Sequence, residues 1–129
     1  MASKNDIQII PPEINMVTLS MKGPLELTNE KIDEVITARS PGNYALGYIE
    51  GHSFIVEHIG RSDTDLNGRL KEWVLHYPNF KWSYARSEKA AYEKECRNYH
   101  NFGGNEMLVN TIHPAIPEGT NLKCPVCGK

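Results

Sequence analysis

Residues 42–62 read GNYALGYIEGHSFIVEHIGRS, from Gly42 to Ser62. Two apolar runs in this stretch have the length of ordinary β-strands. The three residues between them, Glu50-Gly51-His52, include a glycine, which a tight reversal of the chain favours. The stretch therefore predicts a β-hairpin with strands from Tyr44 to Ile49 and from Ser53 to Ile59.

Two helices and a third strand are predicted after the hairpin. The first helix follows a cap at Asp63 or Thr64, and its apolar stripe runs from Leu66 to Val74. Residues 80–84 alternate as a strand should, and Ser87 is placed to cap a long last helix. This order predicts a mixed α/β (α+β) fold, with a small three-stranded antiparallel sheet flanked by helices.

The segments on either side of this unit carry weaker patterns. An edge strand is predicted from Glu13 to Ser20, with Gly23-Pro24 as the break after it. A helix is predicted from Thr28 or Asn29 to about Ala38, and mostly loop from Asn105 onwards. The chain is therefore divided into an N-terminal extension (1–39), a central domain (40–112) and a C-terminal tail (113–129).

Composition limits the classes of function. The 129 residues carry a net charge of −2, with a pI near 6.2, whereas proteins that grip many phosphates of DNA are usually basic. A tight, non-specific nucleic-acid binder is therefore disfavoured. The chain contains no apolar run of about 20 residues and begins without the apolar core of a signal peptide. We expect a cytoplasmic protein with no membrane partner.

Two triplets carry a family resemblance. Gly42-Asn43-Tyr44 opens the first strand of the hairpin, and His58-Ile59-Gly60 closes the second. With a downstream arginine and a helical glutamate, this order resembles the GIY-YIG nuclease family over about residues 40–112. The resemblance implies a small three-stranded sheet flanked by helices. It also implies metal-dependent hydrolysis of phosphodiester bonds in a nucleic acid, with DNA as the expected partner.

The resemblance assigns Tyr44 to the family's first tyrosine, which activates or orients the attacking water. Asn43 stands where the family has an apolar residue. His58 stands in place of the second tyrosine, and an imidazole titrates closer to neutral pH than a phenol. His58 therefore becomes the candidate for proton transfer near the scissile phosphate.

Phosphate binding is assigned to residues after the hairpin. Gly60 allows close approach of the backbone to a phosphate, and Arg61 follows it directly. Arg69 matches the family's catalytic arginine in its Leu-x-x-Arg-Leu context, where a guanidinium stabilises charge on a phosphate. Asn110 matches a late asparagine of the family.

Glu95 is the candidate ligand for a catalytic Mg²⁺ or Mn²⁺. It shares a helix face with Ala91 and Tyr99, and a carboxylate among apolar groups needs a partner or a cation. Glu93 is the alternative ligand. We expect Tyr44, His58, Arg69 and Glu95 to converge on one concave surface.

The tail predicts a structural zinc site. Its last residues, 124–129, read CPVCGK, the form of a zinc knuckle. Cys96 and His100, one helical turn apart, complete a Cys₃His set with Cys124 and Cys127; His113 is the alternative fourth ligand.

Three functions fit this pattern. The first is a metal-dependent endonuclease, the second a catalytically inactive, zinc-stabilised module that binds nucleic acid or protein, and the third a redox protein that uses Cys124 and Cys127. No thioredoxin-like pattern of strand and helix surrounds the two cysteines.

Overall fold

A four-stranded antiparallel sheet forms the body of the computed structural model, which describes residues 19–109 and 113–129. The sheet has the strand order β1-β4-β2-β3. The elements in chain order are β1 (Lys22–Glu26), α1 (Asn29–Val35), β2 (Gly42–Glu50), β3 (Ser53–Ser62), α2 (Leu66–Lys71), β4 (Asn79–Tyr84), α3 (Glu88–Asn101) and α4 (Gly104–Met107).

The mixed α+β class is confirmed, but the predicted count of three strands is wrong. The additional strand, β1, pairs with β4 and contains Gly23-Pro24, which we interpreted as a break. The register of this pair shifts between Lys22 and Leu25. Proline is tolerated at such an irregularity of an edge strand, where no ladder hydrogen bond depends on its missing N–H. The predicted strand from Glu13 to Ser20 lies outside the described residues, except for its last two, which belong to no element.

Side-chain caps fix the starts of the three longer helices. The Thr28 hydroxyl accepts a hydrogen bond from the first turn of α1, and the Ser87 hydroxyl accepts one from the first turn of α3. Asp65 caps α2, so the predicted caps at Asp63 and Thr64 are wrong. The reason is that the Ser62 hydroxyl accepts a hydrogen bond from the backbone N–H of Asp65 and forms a turn before the helix begins. Among the described residues, no helix is long and apolar enough to cross a bilayer.

The core covers both faces of the sheet. Tyr44 and Leu46 of β2 belong to one apolar cluster with Phe80 of β4 and with buried residues of α1 and α2. Ala45, between them on β2, belongs to a second cluster with Tyr99 of α3. Since successive side chains of a strand point to opposite faces, the sheet lies between α1 and α2 on one side and α3 on the other.

The chain after α3 contains more structure than predicted. The short helix α4 lies within the region that we predicted as loop from Asn105 onwards. Gly103, with a φ of 96°, makes the turn into it, a conformation that glycine adopts without steric cost. Residues 113–129 contain no helix or strand, and Cys124 packs against Tyr92 and Cys96 of α3.

Candidate functional site

An open cavity of about 340 Å³ lies between the hairpin, α2, α3 and the start of the tail. The cavity is lined by Tyr44, His58, Arg69 and Glu95, the four residues that we expected to converge on one concave surface. Gly60 and Arg61, the predicted phosphate-binding residues, line it as well. Asn110 lies outside the described residues. The rest of the lining, which we did not predict, comprises Ile59, Asp63, Trp73, His113, Pro114 and Ala115.

Tyr44 contributes a neutral hydroxyl to this cavity. Its ring is buried, and burial raises the pKa of the phenol to about 12. Trp73 Nε1 donates a hydrogen bond of 3.0 Å to Tyr44 Oη. Since this bond uses an acceptor site of the oxygen, the hydroxyl proton remains to be donated to another group. Tyr44 is therefore arranged to orient a partner rather than to act as a phenolate base.

Gly60 lies opposite Tyr44 in the antiparallel register of β2 and β3. A Cβ atom built on Gly60 would collide with Cζ and Oη of Tyr44. Glycine is thus required here to make room for the tyrosine ring. The sequence predicts that Gly60 allows a phosphate to approach the backbone closely. The structure adds a second reason for glycine here, which is its packing against the Tyr44 ring.

His58 lies beside Tyr44 in an aromatic group. Its ring centroid is 6.3 Å from that of Tyr44, with nearly parallel planes, and 4.5 Å from that of Trp73. Burial lowers the pKa of the imidazole to about 4. His58 is therefore neutral near pH 7, with one nitrogen able to donate and the other able to accept a hydrogen bond.

Arg61 is fixed between two carboxylates. Its Nη1 donates to Glu95 Oε1 at 2.6 Å, and its Nε donates to Asp63 Oδ1 at 2.6 Å. The guanidinium carbon also lies 5.2 Å from the ring centroid of Tyr92. Only 11% of the Arg61 side chain is exposed. Arg61 therefore holds Glu95 in place, a role that we did not predict for it.

Glu95 is buried, and its side chain is 10% exposed. Burial raises the pKa of its carboxyl, while the Arg61 guanidinium opposes this shift. The expectation that a carboxylate on this face of α3 needs a partner is met by Arg61. Glu93, the alternative metal ligand, is not among the residues that line the cavity.

Arg69 supplies the least engaged positive charge at the cavity. Its side chain is 47% exposed, and its ion pair with Glu72 is long, at 3.7 Å. Arg69 also lines a second, neighbouring cavity that contains Arg39 and Thr64. Of the two predicted phosphate-binding arginines, Arg69 is thus the one free to turn towards a ligand.

A second cluster contains four potential metal ligands: His100 of α3 and, from the tail, His113, Cys124 and Cys127. Their ligand atoms all lie within 4.8 Å of one another. Two imidazole nitrogens and two sulfurs are a donor set typical of tetrahedral zinc. The cluster can therefore hold a metal ion such as zinc.

Two details of the histidines fit a metal. His100 Nε2 is buried and has no hydrogen-bond partner among the described residues. In His113, Nδ1 lies 3.0 Å from the carbonyl oxygen of Pro114, to which it can only donate. That tautomer leaves Nε2 of His113 unprotonated and 3.4 Å from the Cys127 sulfur. A backbone carbonyl commonly orients a metal-bound histidine in this way.

The cluster differs from the predicted ligand set at one position, where His113 stands in place of Cys96. Cys96 is fully buried with Tyr92, beneath Cys124, and burial raises the pKa of its thiol to about 12. The spacing of Cys96 and His100 placed both on one face of α3. It could not show that Cys124 of the tail packs over Cys96 while His113 lies beside His100, one turn further along α3.

The knuckle turn around Cys124 favours a thiolate. Gly128, with a φ of 80°, allows the chain to reverse, and its N–H donates to the Cys124 carbonyl at 2.9 Å. Burial opposes ionisation of the Cys124 thiol. Hydrogen bonds from the backbone N–H groups of Cys127 and Val126 and from the side chains of His113 and Cys96 together outweigh burial and lower the pKa to about 6.

The cavity and the metal cluster meet at His113, which belongs to both. We predicted two separate metal sites on different faces of α3, and this shared residue was missed. His113 was considered only as a spare zinc ligand, because its neighbours in sequence carry no nuclease motif.

Comparison with known proteins adds no relative. A scan against protein-family models finds no matching family, and searches of curated proteins and of solved structures find no significant match. Any functional assignment therefore rests on the residues and contacts described above.

Proposed function

We propose that this protein is a metal-dependent endonuclease of the GIY-YIG type that hydrolyses phosphodiester bonds in DNA. The observation that carries the proposal is the shared cavity. Tyr44, His58, Arg69 and Glu95 come from four different elements, and all of them line it. Side chains of complementary chemistry that converge from distant parts of a chain on one concave surface are typical of an active site.

Tyr44 and His58 handle the attacking water in this proposal. The Tyr44 hydroxyl, held by Trp73, donates a hydrogen bond that orients the water. Because burial lowers the pKa of His58 to about 4, its neutral imidazole offers an acceptor nitrogen that holds the water, and the proton of the water passes to solvent as its oxygen bonds to phosphorus. The P–O bond to the leaving nucleotide then breaks, and the leaving oxygen takes up a proton from solvent.

Arg69 binds the phosphoryl oxygens, and Glu95 holds Mg²⁺ or Mn²⁺. A single carboxylate suits Mg²⁺, which keeps several waters and is completed by substrate phosphate. Bound there, the ion would stabilise the charge that develops on the phosphate. Arg61 opposes the effect of burial on the pKa of Glu95 and fixes the direction of its carboxyl group. Gly60 and, outside the described residues, Asn110 complete the proposed substrate contacts.

We also propose that the His₂Cys₂ cluster binds one structural Zn²⁺. The unpartnered His100 Nε2 and the tautomer of His113 support this choice, as does the low pKa of the Cys124 thiol. Zinc, with no redox chemistry of its own, suits a site whose purpose is to fasten the tail to α3.

A binding module with the same fold is the second candidate. The Arg61 guanidinium already lies between Glu95 and Asp63, where a catalytic cation would otherwise neutralise the carboxylates. A cavity with such an internal counterion can bind a nucleic acid or a protein without cleaving a bond.

A cleavage assay separates the two candidates. Wild-type protein is incubated with duplex, branched and single-stranded DNA and with RNA, in the presence of Mg²⁺ or Mn²⁺. Glu95→Gln should lower the cleavage rate by at least about 10²-fold, because loss of a bound metal costs several kcal/mol of transition-state stabilisation. Glu93→Gln is the matched control, since this carboxylate lies on the same helix but not in the cavity.

The outcomes of this assay distinguish the nuclease from the binding module. Cleavage by wild type and Glu93→Gln, with loss in Glu95→Gln, supports the nuclease. Binding without cleavage by all three proteins, with either metal and any substrate, would replace it with the binding module.

A further inference from the structure

The start of the tail belongs to two sites at once. His113 supplies a potential metal ligand, and together with Pro114 and Ala115 it forms one wall of the candidate catalytic cavity. Tyr44, His58 and Trp73 line the same cavity. Any force that fixes His113 therefore also fixes part of the lining of this cavity.

Local structure alone holds this wall weakly. Residues 113–129 contain no helix or strand, so no ladder of backbone hydrogen bonds anchors the segment. Its buried contacts include Cys124 against Tyr92 and Cys96, with Leu122 partly buried beside them. Ring contacts join His113 to Tyr99 and to His100, with centroids 5.8 Å and 5.1 Å apart. Pro114 and Pro117 are buried as well. A metal bound by four side chains would add to these contacts, because its binding energy is also folding energy.

We propose that the zinc centre is a positioning element of the cavity: zinc bound by His100, His113, Cys124 and Cys127 holds the His113–Ala115 wall against the hairpin and α2. Without zinc the wall leaves the cavity, and the partly buried Trp73 and the Tyr44 hydroxyl that it holds become more accessible to water. The proposal rests on the zinc site and applies whether the cavity cleaves or only binds its ligand. It makes zinc a requirement of the site although zinc takes no part in the reaction.

Fluorescence of Trp73 tests the wall without any reference to activity. The chain has two tryptophans, and Trp82→Phe leaves Trp73 as the only tryptophan, which is excited selectively over the tyrosines. Zinc content is measured, and acrylamide quenching of Trp73 is recorded before and after a chelator, then after zinc is added back. We expect a severalfold rise in quenching on removal of zinc and reversal on its return.

Two variants test whether the change in Trp73 quenching comes from loss of a zinc ligand. Cys127→Ser removes an exposed ligand and should reproduce the chelated state, with higher quenching of Trp73 and weaker zinc binding. Val126→Ser is the matched control, because Val126 is an exposed neighbour in the same turn and supplies no ligand. If the cavity is a nuclease site, Cys127→Ser should also lose about 10-fold in kcat/KM, the scale typical of groups that orient a metal site or its surroundings.

The results separate this proposal from the nuclease assignment. Unchanged quenching in a protein shown to have lost its zinc would overturn the proposal even if cleavage is observed, and so would a wild-type protein that binds no zinc. Reversible, zinc-dependent quenching supports it even if no nucleic acid is cleaved. Should Cys127→Ser fail to fold, the cycle of chelation and zinc return on the Trp82→Phe protein gives the answer alone.

Discussion

At the residue scale, the contact between Trp73 and Tyr44 determines what the tyrosine can do. A phenol whose pKa is raised to about 12 cannot be a base near neutral pH. It can orient a water only if its proton points into the cavity, and the bond from Trp73 Nε1 favours that direction. Trp73 is thus a positioning residue that acts through Tyr44.

Replacing Trp73 by Phe should keep most of the aromatic packing and remove the N–H donor. We expect kcat to fall about fivefold to tenfold with little change in KM, since a neutral hydrogen bond contributes about 1 kcal/mol and 1.36 kcal/mol is a factor of ten. Steady-state cleavage rates measure the effect. Trp82→Phe, away from the cavity, should leave kcat unchanged; an equal loss in both variants would contradict the positioning role.

His58 should make stability dependent on pH. Burial lowers the pKa of its imidazole from 6.5 to about 4, so the unfolded chain gains a proton in this range that the folded protein does not take up. The free energy of unfolding should therefore fall as pH is lowered through the window from 6.5 to about 4. Urea midpoints of wild type and His58→Gln, followed from neutral pH to about pH 4.5, should converge as the pH falls.

His52→Gln is the control for this measurement. His52 is exposed in the turn between β2 and β3, so its replacement should leave the slope of stability against pH unchanged. A wild-type slope that survives in His58→Gln would assign the effect to another group.

At the element scale, α3 connects the hairpin to both candidate metal sites. Asn43 of β2 is fully buried, and its Nδ2 donates to the carbonyl oxygen of Ala91 at 2.8 Å. One turn further along α3 lies Glu95, and the helix ends near the ligand His100. In the sequence, Asn43 is notable only because it stands where the GIY-YIG family has an apolar residue. The structure makes it a fully buried polar contact between the sheet and α3.

Asn43→Leu, which places an apolar residue at this position, should destabilise the protein by about 1–3 kcal/mol, because it leaves the buried Ala91 carbonyl without that donor. We also expect a lower cleavage rate, since the position of Glu95 depends on how α3 packs on the sheet. Thermal unfolding and the cleavage assay measure the two effects. Asn101→Leu, an exposed change on the same helix, should alter neither quantity by much.

Elements with a strong local signal were predictable, and those that depend on distant partners were not. The hairpin, β4 and the Ser87-capped α3 follow from periodicity and side-chain caps. Strand β1 could not be found, because Gly23-Pro24 is a break locally and becomes a strand only by pairing with β4. The cap of α2 was misplaced because the Asp63 carboxylate pairs with Arg61 and the Ser62 hydroxyl forms a turn before the helix, so that Asp65 becomes the cap.

The same distinction holds for the candidate site. Residues within motifs, such as Tyr44, His58 and Arg69, were predicted from chain order and do line one cavity. The Arg61–Glu95 ion pair joins positions 34 residues apart, and no local pattern indicates it. The contribution of His113 depends on where the tail meets α3, which only tertiary packing decides.

At the scale of the whole molecule, a net charge of −2 must be reconciled with the polyanionic substrate that we propose. Arg61 is neutralised by Asp63 and Glu95, so Arg69 carries most of the local attraction for phosphate. We therefore expect weak binding that depends on few phosphate contacts. Such a protein would rely on its cavity, rather than on a basic surface, to select a substrate.

Arg69→Gln should weaken DNA binding and reduce its dependence on salt. Removing one arginine–phosphate ion pair should lower the slope of log K against log salt concentration by about 0.9, because one fewer counterion is released from the DNA. Binding is measured in the Glu95→Gln background by fluorescence anisotropy over a range of salt concentrations, so that cleavage does not interfere. Arg97→Gln, an exposed arginine of α3 that does not line the cavity, is the charge-matched control. An equal drop in slope for both variants would mean that the whole surface, and not this cavity, attracts the DNA.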